Sequence, residues 1–128
     1  MPKVSKKERL EGVLESLADS LGSDLLGALV ATYDGQVIVS LPLKSSLDAQ
    51  RLAAMAAAIV GTSDRLSKIV ETGSLEDIFV RCDDEDLLAR KAGKRAILVC
   101  VVRKGANIGL LNIEIEEITS SIREILDG

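Results

Sequence analysis

At 128 residues the chain has the length of one domain, expected to span residues 1–128 as a single unit. Hydrophobic residues make up 47% and charged residues 28%, a balance that excludes intrinsic disorder. Sixteen basic against twenty acidic residues leave a net charge of −4, without the positive field that non-specific nucleic-acid binding needs. The longest apolar run, nine residues from Leu52 to Val60, falls far short of the ~20 of a membrane span.

The N-terminal Met1-Pro2-Lys3-Val4-Ser5-Lys6-Lys7 is basic but lacks an apolar stretch and a cleavage site. No secretory signal is expected there, and the chain reads as cytoplasmic. From Ser5 to Leu21, apolar residues at Leu10, Val13, Leu14, Leu17 and Leu21 recur three and four apart. This predicts an amphipathic helix capped by Gly22. Leu26 to Tyr33 is apolar on both faces and predicts a strand. Asp34-Gly35 predicts a type I′ hairpin turn, because glycine and aspartate tolerate positive φ. Gln36 to Leu41 then returns as the second strand, which Pro42 closes.

Ser45 or Ser46 is expected to cap a long helix over Leu47 to Thr72. That helix has two stripes: Leu52, Met55, Ala56, Ile59, Ser63, Leu66 and Val70 on one side, and Ala49, Ala53, Ala57, Val60 and Asp64 on the other. The first reads as the core face. The second, made of small residues that admit a close backbone, is expected to meet a partner; its alternative is simple helix propensity. Beyond Gly73, Ser74 to Cys82 predicts an edge strand, with Ile78, Val80 and Cys82 on one face and Asp77, Phe79 and Arg81 on the other. Asp83 to Asp86 reads as a charged turn, Leu87 to Lys91 as a short strand and Gly93-Lys94 as the next turn. Ala96 to Val102 reads as a central strand. Asn107 is expected to cap a last helix whose apolar positions are Ile108, Leu111, Ile115, Ile118, Ile122 and Ile125. The two strands apolar on both faces belong at the centre, each beside its hairpin partner. The result is an antiparallel sheet of order 2-1-5-4-3.

The inventory for catalysis is poor. Histidine and tryptophan are absent, so neither histidine-activated nucleophiles nor histidine-bearing zinc sites are available. Cys82 and Cys100 lie in apolar runs and read as buried reduced thiols. Gly22 to Gly27 has P-loop glycine spacing, but Ala28-Leu29 follows where a lysine and a hydroxyl must hold phosphate and magnesium. The acidic run at Asp83–Asp86 lacks the central glycine and distal glutamate of a calcium loop. Arg90, Lys91, Lys94 and Arg95 read as a solvated hairpin tip, or as a site for phosphate or an acidic protein surface. Arg103 and Lys104 should neutralise the acidic run. No catalytic, metal or cofactor-binding residue is assigned. The positive features are a helix with two usable faces and an edge strand with an outward aromatic.

The segments Gly27-Ala28-Leu29-Val30-Ala31-Thr32, Asp34-Gly35, Val37-Ile38, Ala53-Ala54-Met55-Ala56-Ala57 and Gly105-Ala106-Asn107-Ile108-Gly109-Leu110-Leu111 together resemble the Roadblock/dynein light chain family, most closely its prokaryotic MglB-like branch. The resemblance covers Lys7 to Leu126. It implies an α+β fold in which the long helix covers one sheet face and the terminal helices the other. It also implies a homodimer with antiparallel long helices and third strands joined edge to edge. On this view the dimer interface would comprise Ala49, Ala53, Ala57, Val60, Asp64, Asp77, Phe79 and Arg81, and Ala57→Arg would leave a folded monomer or a strongly weakened dimer. The family implies no enzymatic activity of its own; its members scaffold or regulate Ras-like small GTPases. The other readings are a structural light chain or adaptor that never senses nucleotide, and a small-molecule-binding enzyme. An arginine finger is a sharper version of the first, but the motif singles out no arginine.

Overall fold

The computed structural model describes residues 4–42 and 47–128. The expected caps Ser45 and Ser46, and the first three residues of the basic N-terminal segment, lie outside the described residues. The elements follow the order α1 (Lys6–Leu21), β1 (Leu25–Thr32), β2 (Val37–Ser40), α2 (Ala49–Ile69), β3 (Asp77–Arg81), β4 (Glu85–Ala92), β5 (Ala96–Arg103) and α3 (Ile108–Asp127). The strands form one antiparallel sheet of order β2-β1-β5-β4-β3, and the fold is α+β.

Strand β5 is buried along its whole length to Val102, and β1 from Gly27 to Ala31, because each carries apolar side chains to both faces. One face, with Val30, Leu98 and Cys100, packs beneath Leu10, Leu14 and Leu17 of α1 and Leu111, Ile115 and Ile122 of α3. The other, with Leu29, Ile97 and Val99, packs against α2. Removing each such Leu or Ile from water contributes about 1.5–3 kcal/mol, which sets the sheet between two helical layers.

The helix termini follow their caps. Ser5 Oγ accepts from the Glu8 N–H at 3.1 Å, and Asn107 Oδ1 from the Leu110 N–H at 3.1 Å. Helix α2 starts at Asp48, whose carboxylate accepts from the Gln50 and Arg51 N–H groups. It ends at Ile69, short of Gly73, because Glu71 already turns the chain at φ 55°.

The β1–β2 hairpin departs from the expected type I′ turn. Positive φ occurs at Gly35 (90°) but not at Asp34. The Gly35 N–H donates to the Thr32 carbonyl at 3.1 Å, and the Thr32 N–H to the Gln36 carbonyl at 2.9 Å. This is a four-residue turn followed by a glycine bulge at Gly35; separately, the ladder shifts between Val30 and Ala31, which leaves Ile38 as an extra residue on β2. The acidic run is likewise divided: Asp83-Asp84 turn, whereas Glu85 and Asp86 begin β4.

Candidate interaction surface

Helix α2 is oriented opposite to expectation. Ala53, Ala57 and Val60, expected at a partner's interface, are buried against Leu29, Ala31, Ile97 and Val99 of the chain's own sheet, Ala53 to 0% exposure. Ala49 packs half-buried beside them. The physical reason lies in the sheet: Leu29, Ile97 and Val99 fill this face, so only a small-residue stripe lets the helix approach. The turn shows how close that approach is, since a Cβ added to Gly35 would lie 3.0 Å from Ala54 Cα. Of the stripe expected in the core, only Ala56 is buried, with Leu52 and Ser63 half-buried. Met55 (59% exposed), Ile59, Leu66 and Val70 face solvent.

Asp64, the fifth residue of the small stripe, is tied within the chain. Lys91 Nζ lies 2.9 Å from its Oδ1 and Lys68 Nζ 3.5 Å from its Oδ2. The hydrogen bond from Lys91, foremost, holds its carboxyl below the usual carboxylate range.

Strand β3 is one of the two edges of the sheet, β2 being the other. The Lys91 N–H donates to the Glu76 carbonyl at 3.1 Å, so even-numbered residues of this segment turn their backbone groups to β4. By alternation Asp77, Phe79 and Arg81 turn theirs outward, where no strand of the described residues pairs with them. Their side chains lie toward α3: Phe79 stands opposite Leu88, and Arg90 bridges Asp77 (3.4 Å) to Glu116 (2.7 Å). Ile78 and Val80 lie toward α2. With Leu52, Met55 and Ile59 they line an apolar cleft of about 130 Å³. The outward stripe of α2 and the edge of β3 therefore form one continuous surface.

Several of the remaining charged groups are paired within the chain. Asp86 is buried; its carboxylate accepts from Lys104 Nζ at 2.9 Å and the Cys82 N–H at 3.1 Å, and the Lys104 bond in particular lowers its pKa. Lys104 thus neutralises the acidic run as expected, whereas Arg103 pairs with Asp24. At the β4–β5 turn Arg90, Lys91 and Arg95 each face a carboxylate, and the Lys94 N–H donates to Asp127 at 2.7 Å. Tyr33 donates its hydroxyl to the Gly93 carbonyl; burial, and next Asp127, raise its pKa. Cys100 is buried and its thiol is pushed up to about 12 by desolvation. Cys82 corrects the expectation of two buried thiols: it follows β3 and is exposed. Among the described residues there is no group of three or more His, Cys, Asp or Glu able to hold a metal, and no helix long and apolar enough to cross a membrane.

Comparisons with known proteins agree with this architecture. Two uncharacterised proteins of Methanocaldococcus jannaschii, MJ0310 and MJ1340, are each 32% identical over 97 residues, covering 76% of this chain and 83% of theirs. Among solved structures, Myxococcus xanthus MglB superposes with a TM-score of 0.88 at 18% identity, covering 99% of this chain and 94% of its own. The gliding protein MglB from Thermus thermophilus superposes with a TM-score of 0.85 at 19% identity, covering 99% and 95%. These superpositions concern the fold. The model of the Roadblock/LC7 domain matches residues 13–102, and the chain belongs to the Roadblock/LC7 domain family.

Proposed function

We propose that this chain is a non-catalytic, cytoplasmic, homodimeric scaffold or regulator of a Ras-like small GTPase, acting as a single Roadblock-like unit without a cofactor. The observation that supports this most is the orientation of α2, with alanines inward and Met55, Ile59, Leu66, Ile69 and Val70 outward beside an edge strand. Large aliphatic side chains left together on a surface mark a protein interface. On this reading the dimer is made by the outward stripe of α2 and by Asp77, Phe79 and Arg81 at the β3 edge. Ala53, Ala57 and Val60 instead hold the helix to its sheet.

A regulator of this kind supplies no reactive group. It binds the switch segments of the GTPase in one of their arrangements and shifts the population by its differential affinity for the two nucleotide states. The polar groups are consistent with this role: Asp64 and Asp86, the two shifted carboxylates, are engaged by Lys91 and Lys104 in structural pairs.

The test is capture of the organism's own Ras-like GTPases, loaded with GTP or GDP, by the purified chain. Nucleotide-dependent capture supports a regulator. Equal capture of both forms replaces it with an adaptor, and monomeric sedimentation at micromolar concentration overturns the dimer.

A further inference from the structure

We propose that the dimer uses one specific strand register, centred on Phe79, written into the chain as the self-complementary segment Asp77-Ile78-Phe79-Val80-Arg81. This inference rests on the homodimeric reading above and adds to it how one copy recognises another.

Backbone parity limits the choice. Asp77, Phe79 and Arg81 turn their N–H and C=O groups outward, so in an antiparallel pair of β3 strands these residues must face one another. A two-fold axis at Phe79 places Phe79 opposite its own copy and Asp77 opposite the other copy's Arg81. It uses every outward backbone group of the strand. On the α2 side, the same register puts Ile78 opposite Val80, extending the apolar cleft across the seam. A shift to an axis at Ile78 sets Asp77 against Phe79 and leaves Arg81 beyond the strand. A shift to an axis at Val80 does the same to Asp77.

Side-chain chemistry selects the same register. Among the described residues Arg81 has no carboxylate within ion-pair distance, and Asp77 has only Arg90, at 3.4 Å. Each has capacity for a partner across the seam. Phe79 is 39% exposed, and an aromatic pair across the axis would cover it. The charges also discriminate, because a strand with like charges at both ends repels its own copy.

The test is a charge exchange read by sedimentation. D77R places arginine at both ends of the strand and R81D places aspartate at both; each should weaken self-association by about tenfold or more. Mixed in equal amounts, the two variants should form a heterodimer of near wild-type affinity. That recovery also shows that both are folded, despite the loss of the Asp77–Arg90 contact in D77R. Independently, F79C in a Cys82→Ser background should cross-link to a covalent dimer under mild oxidation, and I78C should not. Wild-type dimerisation by both charge variants, no recovery on mixing, or cross-linking by I78C instead of F79C would overturn the register while leaving the dimer intact. A monomeric wild type would overturn both.

Discussion

Lys91 on β4 donates to Asp64 on α2 at 2.9 Å, a charge-assisted bond that ties the long helix to the sheet behind it. With the Lys104–Asp86 pair, it makes stability depend on acid. Both carboxyls titrate below their ordinary value of 3.8 in the folded chain. A group depressed in this way stabilises the fold above its unfolded pKa and loses that contribution as pH falls through the folded one. The melting temperature should therefore hold near neutral pH and drop below pH 3.8, beyond any general acid effect. D64N/D86N should melt lower at pH 7 and lose less on acidification. Calorimetric melts at a series of pH values check both slopes.

Arginine substitutions on the two sides of α2 should separate fold from assembly. A57R forces a long charged side chain into the buried alanine contact between α2 and the sheet, and should cost about 3 kcal/mol or more. I59R, on the solvent side, should melt near the wild-type temperature yet sediment as a monomer. Circular dichroism and sedimentation on the same samples distinguish the outcomes.

The two thiols should react very differently. Cys82 is exposed, whereas Cys100 is buried with its pKa at about 12. At pH 8 the native chain should take up one equivalent of an alkylating reagent rapidly. The second should follow on the order of 10³-fold more slowly, or only after denaturant is added. Mass spectrometry of timed quenches reads this directly.

Backbone strain offers a fourth test. Glu71 holds a left-handed conformation (φ 55°) where α2 ends, and glycine there should stabilise the chain by up to about 1 kcal/mol. Gly35→Ala should do the reverse, by about 2 kcal/mol or more, since its φ is 90° and its Cβ would press on the Ala54 backbone. Urea unfolding midpoints of the two variants should move in opposite directions.

Much of the candidate surface was legible in the chain. Two stripes on α2 and the position of Phe79 on an edge strand mark the elements that form it, because helix and strand periodicities report which residues share a face. The exposure of Cys82 was less visible, since β3 stops one residue before it and the alternation carries on past the strand's end. The turn type also escaped the local signal. Asp-Gly fits several turns, and the glycine bulge at Gly35 emerges only when β1 and β2 are in register.

What the sequence determined by itself is therefore the list of elements, their order in the sheet and the pairing of faces, all consequences of period, caps and the doubly apolar strands β1 and β5. What only the tertiary structure decided is which side of α2 turns inward. Periodicity defines stripes without a direction, and hydrophobicity alone favoured the wrong one. The choice follows from space: a sheet face filled by Leu29, Ile97 and Val99 has room for alanines, so the larger side chains Met55, Ile59 and Leu66 are left outside.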